Sequence, residues 1–301
     1  MRRNLRTSLS SVLGFAVPQY GNSARADVAR YAAAAEELGA DSLWVGDRLV
    51  APVHPSVGYA GTDTIPAEFR AGLDPFIALA VAAAVTSRVR LGASVFVAPW
   101  YPPVQLSRQL TALDVVSGGR LLPGFGIGWS PEEYQAAGVP FRRRGAQLEE
   151  LLDALQQLWR TNPVAHDGER WTIPPSWVDL KPVQTPPPIY LASFSAAGLA
   201  RIGARADGWL PAVQVPGGVF PDLLDRLRSV IDDAARAAGR DPAAIHTYVR
   251  VNVAAGTSVE SVAEALHTLR AAGYSDAFVD LMYVADDTDE HLSWAERLLA
   301  A

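Results

Sequence analysis

The sequence predicts an α/β fold of the (β/α)8 TIM-barrel class, on three observations. Strand-like and helix-like patterns alternate along the chain about eight times with little else between them. A length of 301 residues, 49% hydrophobic and 19% charged, falls within the range of one large α/β barrel or two ordinary domains. The stretch 88–141, RVRLGASVFVAPWYPPVQLSRQLTALDVVSGGRLLPGFGIGWSPEEYQAAGVPF, reads as strand, helix, strand and glycine-rich exit, a βαβ unit that implies a parallel pair. A doubly wound open sheet is the alternative that the same alternation allows.

Each element follows from local signals. Residues 12–17 read as a first strand, 27–38 as a helix stopped by Gly39, and 42–46 as a second strand ending in Asp47-Arg48. Residues 75–86 are helical, and Val89, Leu91, Val95 and Val97 mark 89–97 as the third strand. Pro102 and Pro103 open a helix over 104–116, Gly118-Gly119 closes it, and 121–125 forms the fourth strand. Leu148, Leu151, Leu152, Leu155 and Leu158 share one face of a long amphipathic helix at 144–159. Residues 162–188 are proline-rich and irregular, with a hairpin turn at Asp167-Gly168, and 189–192 resumes as a short buried strand. Helices at 195–204, 220–238, 259–271 and 288–299 then alternate with strands at 208–211, 246–254 and 277–281. The chain is therefore read as one domain over 1–301. It carries an N-terminal extension at 1–11, a long loop at 50–74 and an insertion at 162–188 between the fourth and fifth strands.

Composition excludes several functions. A net charge of −6 without a basic patch argues against a nucleic-acid partner, which needs clustered cations. Arg142-Arg143-Arg144 lies beside Glu149-Glu150 and reads as a solvated helix start. Cysteine is absent, so disulfides, thiolate metal sites and thiol nucleophiles are excluded. His54, His166, His246, His267 and His291 show no ligand spacing, so no metal is expected. Pro18 and Gln19 interrupt the early apolar run before a secretory core forms, and no apolar segment is long enough to span a bilayer. A soluble cytoplasmic protein acting on a small molecule is the expectation.

In a barrel the chemistry sits at the carboxyl ends of the strands. Those ends hold Asp47 and Arg48, then Ser94 and Val95, then Gly126, Ile127, Gly128 and Trp129, then Ala192, Ser193, Phe194, Ser195 and Ala196. Glycines 124, 126 and 128 remove side chains where backbone can approach a flat ring. Asp47 is an acceptor for such a ring's polar edge or for the hydroxyls of its tail, and Arg48 a permanent cation; an Asp-Arg pair fixing a rim loop is the other reading. Ser193 and Ser195 precede a helix whose free amides form a phosphate seat, a role compatible with plain capping. The 50–74 loop, with His54, Tyr59 and Phe69, is read as a lid or as surface decoration, and His54 as its candidate for proton transfer. GFGIG lacks the third glycine and immediate helix of a dinucleotide fingerprint.

SLWVGDR, RVRLGASVFVAP, QLSRQLTALDVVSGGRL, GFGIGW with EEY and GVPF, and ASFSAAGLARIGARADGW together resemble the luciferase-like monooxygenase family, most of all its coenzyme F420 branch. The resemblance covers nearly the whole chain from Val12. It implies a TIM barrel with an irregular insertion, a homodimer, and FMN or coenzyme F420 bound at the carboxyl face, with the phosphate at the Ser193–Ser195 loop. By matching GASV it also implies a bulge with a cis peptide between Ser94 and Val95 under the central ring. Two departures stand out. Arg48 follows the aspartate where similar F420 enzymes often have histidine, and Trp129 follows the last glycine where some have glutamate. Glu132 and Glu133 come a few residues later, and helix capping is one reading of Glu133. Lys181 is the only lysine among 26 cationic residues, the arginine skew of a GC-rich genome. The expectation is therefore F420-dependent hydride transfer, with an FMN-dependent monooxygenase or a non-catalytic cofactor-binding barrel as alternatives.

Overall fold

The computed structural model describes residues 12–301, and the extension expected at 1–11 lies outside them. Eight staves follow in chain order. The first is β1 (Val12–Ala16); α1 (Val28–Leu38) leads to the second, β2 (Ser42–Val45). After α2 (Pro75–Val85) the third stave comes in two pieces, β3 (Arg90–Ala93) and β4 (Phe96–Val97). After α3 (Pro103–Val116) so does the fourth, as β5 (Leu121–Leu122) and β6 (Gly124–Gly126). Next come α4 (Pro131–Ala136), α5 (Arg144–Arg160), a hairpin of β7 (Val164–Asp167) and β8 (Thr172–Ser176), and the fifth stave, β9 (Tyr190–Leu191). After α6 (Ala196–Arg205) the sixth stave is β10 (Gly208–Trp209) with β11 (Ala212–Val215), and after α7 (Pro221–Ala237) the seventh is β12 (His246–Thr247) with β13 (Val249–Val253). Then α8 (Val259–Ala271), the eighth stave β14 (Asp276–Asp280) and α9 (Thr288–Leu299) complete the chain.

Strand pairing closes the ring. One run of parallel strands has the order β11-β13-β14-β1-β2-β3-β5, and a second has β12-β10-β9-β6-β4. Because β3 and β4, β5 and β6, β10 and β11, and β12 and β13 are halves of single staves, the two runs join at both ends. Each stave is thus hydrogen-bonded to the next and the eighth to the first. That is a closed (β/α)8 barrel, not the open doubly wound sheet.

The staves are interrupted where the backbone changes partner. Pro123 breaks the fourth, since it has no N–H to donate. Leu210-Pro211 breaks the sixth, which resumes and runs to Val215, beyond the expected end at 211. In the hairpin, Asp167 pairs with Thr172 and the Gly168 amide donates to Trp171 O at 3.0 Å, so the turn expected at Asp167-Gly168 occupies 168–171.

Burial follows the pattern of the elements. Leu79, Leu110, Leu151, Leu155, Ile202 and Val262 fill the layer between staves and helices. The lumen takes a separate set, Val12, Trp44, Leu122, Tyr190, Leu210, Tyr248 and Phe278. Trp44 stacks on Phe278 with ring centroids 4.6 Å apart and tilts against Tyr248 at 5.2 Å. The barrel is therefore a packed core, and any ligand must sit above it at the mouth.

Candidate active site

A cavity of about 490 Å³ lies at the mouth, within the size range of small-molecule sites. Staves two to five build most of it. Asp47 and Arg48 come from the end of the second, Ser94, Val95 and Val97 from the third, and Gly126, Ile127, Gly128 and Trp129 from the fourth. Ala192, Ser193, Phe194 and Ser195 follow the fifth. Ala196 is the first residue of α6, directly behind them.

The third and fourth staves explain each other. The Ser94–Val95 peptide is cis, as the resemblance implied. A Cβ on Gly124 would lie 2.0 Å from Ala93 O, one on Gly126 2.5 Å from Val95 Cγ2, and one on Gly128 2.8 Å from Val97 Cγ1. Residues 93, 95 and 97 thus press on 124, 126 and 128, which is what excludes side chains there. The glycine run, read from sequence as room for a ring, is first of all room for the neighbouring stave.

Asp47 is only 6% exposed and accepts hydrogen bonds from the Val97 amide and the Tyr101 hydroxyl, each at 2.9 Å. Burial pushes its carboxyl up to about 7, against the pull of those two donors. Arg48 lies between two rings, 4.6 Å from the centroid of Phe69 and 4.5 Å from that of Trp129. Its Nη2 is 3.1 Å from Glu133 Oε2, while Glu133 Oε1 accepts from the Leu49 amide at 2.8 Å. Burial raises the Glu133 carboxyl and Arg48 opposes that shift. Capping of α4 falls to Ser130 instead, whose hydroxyl accepts from the Glu133 amide. Glu133 therefore serves the Asp47-Arg48 corner, a use its position in the sequence did not disclose.

The fifth stave ends in a turn that caps α6 with two serines. Ser195 caps α6 by accepting from the Gly198 amide at 3.2 Å, and Ser193 Oγ accepts from the Ser195 amide at 3.2 Å. A Cβ on Gly198 would fall 1.9 Å from Ser193 Oγ, so the small residue lets the two serines converge. Ser195, Ala196 and Ala197 are exposed, and the first amides of the helix have no intrahelical acceptor.

The 50–74 loop divides. Tyr59 and Phe69 line the cavity, packed edge-on at 5.0 Å, and Tyr59 also leans on Trp129 at 5.6 Å. The loop is tied to α4 by the Ser56 amide, which donates to Glu132 at 2.8 Å. His54 is exposed and lines a separate cleft with Asp63, Thr64 and Arg70. Sequence reading did not single out Arg250, which reaches the cavity from β13, or Tyr101, which holds Asp47. Both sit in ordinary strand or loop patterns, and only the closed barrel brings them to the mouth.

The chain and its fold are similar to those of known proteins. Over 245 residues the chain is 31% identical to a phthiodiolone/phenolphthiodiolone dimycocerosates ketoreductase of Mycobacterium bovis, covering 79% of this chain and 63% of that one. The fold resembles a monooxygenase, RslO1, from Streptomyces bottropensis, with a TM-score of 0.78, 18% identity and coverage of 96% and 98%. It also resembles a coenzyme F420-dependent tetrahydromethanopterin reductase from Methanopyrus kandleri, with a TM-score of 0.73, 16% identity and coverage of 96% and 97%. The luciferase-like monooxygenase family itself matches residues 8–300, nearly the entire chain, and the protein belongs to that family.

Proposed function

We propose that the protein is a coenzyme F420-dependent oxidoreductase that moves a hydride between the deazaflavin ring and a small organic substrate. The observation that carries this reading is the convergence on one cavity of a main-chain wall at Ser94–Val95, a buried carboxyl at Asp47 and the amides that open α6. A flavin-type cofactor asks for those three things: a flat apolar face, partners for its polar edge, and a seat for its phosphate. The residues present fit it. Val95 and Ile127 supply the face, Asp47 the polar edge, and Ser193, Ser195 and the Ala196 amide the phosphate seat.

When bound, the deazaflavin supplies a two-electron hydride carrier, because carbon replaces the ring nitrogen that flavins use with oxygen. The chain's own groups do the rest. Asp47, poised near neutrality, holds or gives up the proton that accompanies interconversion of an alcohol and a carbonyl. Arg48 stays charged and orients an anionic or carbonyl group toward the ring. Phe69 and Trp129 flank Arg48, and Tyr59, packed on both rings, completes a lid that keeps water from the site. His54, in its separate cleft, keeps its proposed proton-transfer role only through movement of the 50–74 loop.

Separate titrations with F420 and FMN, followed by reduction of the bound ring with candidate alcohols, test the reading. F420 binding with alcohol-dependent reduction is the expected result. Tight FMN binding with NADH-dependent oxygen uptake would replace it with a monooxygenase, and F420 binding without turnover with a non-catalytic carrier.

A further inference from the structure

Arg250 crosses the barrel. It lies on β13 in the seventh stave, and its Nη1 donates to the carbonyl of Ser94 in the third at 2.9 Å, a contact spanning 156 residues of sequence. In a ring of eight, staves three and seven stand opposite each other, so this bond belongs to no strand ladder. The other arm of the guanidinium pairs with Asp280 on the adjacent eighth stave. Asp280 is fixed in turn, since its Oδ1 accepts from the Met282 amide at 3.1 Å. Arg250 lines both the mouth cavity and a small void of about 10 Å³ that Trp44, Phe278 and Asp280 line with it.

A stability role explains this poorly. Buried ion pairs contribute little net stability compared with apolar residues of similar volume, and the neighbouring lumen is filled by Tyr248 and Phe278. Arg250 Nε, moreover, has no hydrogen-bond partner among the described residues, a cost that an apolar lumen residue would avoid. What the arrangement does provide is a rigid planar fork held from one side by Asp280 and aimed from the other at a single carbonyl. That carbonyl belongs to the segment forming the cavity's main-chain wall.

We propose that Arg250 is a positioning residue: oriented by Asp280, it fixes the Ser94 carbonyl and thereby sets the wall against which a flat ring lies. The role rests on the cavity being a flavin or deazaflavin site. Arg250 lines the cavity and holds its wall through the Ser94 carbonyl, so its loss weakens ring binding and leaves the phosphate seat at α6, on the fifth-stave side, intact.

Two variants and two kinds of probe test this. Arg250→Lys keeps the charge for Asp280 but loses the fork, and the double variant Arg250→Met, Asp280→Asn removes the pair without stranding a buried charge. F420 and FMN report on the whole site by fluorescence titration, and inorganic phosphate reports on the α6 seat alone by calorimetry. The expected result is a rise of at least tenfold in the Kd of whichever ring cofactor the wild type binds, with the phosphate Kd within twofold of wild type. Ring binding within twofold of wild type in a folded variant would overturn the proposal. So would equal weakening of cofactor and phosphate, which marks a general structural loss, or failure of both variants to fold. Wild-type protein that binds neither cofactor would instead overturn the reading of the cavity itself.

Discussion

Asp47 is caught between two opposing effects: burial, which favours the neutral acid, and two hydrogen-bond donors, which favour the anion. Burial wins, and the group titrates near 7 instead of near 4. With the folded pKa raised, the proton stabilises the native state at low pH, and that contribution is lost as pH rises from about 4 through 7, on the order of 4 kcal/mol in all. Asp47→Asn is expected to flatten this slope in urea denaturation at pH 5 and pH 8, and to abolish an inflection near pH 7 in turnover. A variant with wild-type pH dependence in both would show that Asp47 is not the titrating group. Arg48 and Glu133 form the second pair at this corner, with side chains 9% and 2% exposed. Arg48→Met strands the Glu133 charge and is expected to cost about 3–5 kcal/mol, whereas adding Glu133→Gln recovers most of the loss. Additive losses in that cycle would mean that the two residues are not coupled.

At the scale of elements, the third and fourth staves act as one unit because 93, 95 and 97 press on 124, 126 and 128. Gly126→Ala places a methyl 2.5 Å from Val95 Cγ2, so one stave must move, at an expected cost of about 1–3 kcal/mol by thermal or chemical denaturation. Cofactor affinity falls with it if Val95 forms the ring's wall; unchanged affinity would place the ring elsewhere. At the start of α6, Ser195→Ala removes the cap and is expected to cost about 1 kcal/mol. The elements were largely legible beforehand, because alternation, proline starts and glycine stops are local signals. The helices at 259–271 and 288–299 have the bounds expected of them. Broken staves were not legible. Proline 123 removes a ladder donor, but the interruption at Tyr248 depends on which neighbouring stave its amide meets, here Trp209 O at 3.0 Å. The mouth was half legible for the same reason. Residues at strand ends announce themselves by position, whereas Arg250 meets Ser94 only across the closed barrel.

At the scale of the molecule, closure turns eight local choices into one site. The ends of four consecutive staves converge on a single cavity, the lumen is packed with Trp44, Tyr248 and Phe278, and the Arg250 guanidinium reaches the Ser94 carbonyl from the opposite stave. Among the described residues no helix is long and apolar enough to cross a membrane. The homodimer implied by family resemblance predicts a mass near twice the 32.2 kDa of one chain in light scattering, and a stable monomer at micromolar concentration would contradict it. In the proposed complex one flat cofactor lies on the Ser94–Val95 wall with its phosphate at the start of α6. A crystal structure of the F420 complex is the decisive measurement. The ring is expected against Val95 beside Asp47, with the phosphate accepting hydrogen bonds from Ser195 and the first α6 amides; a cofactor bound outside this cavity, or with its phosphate away from α6, would rule this placement out.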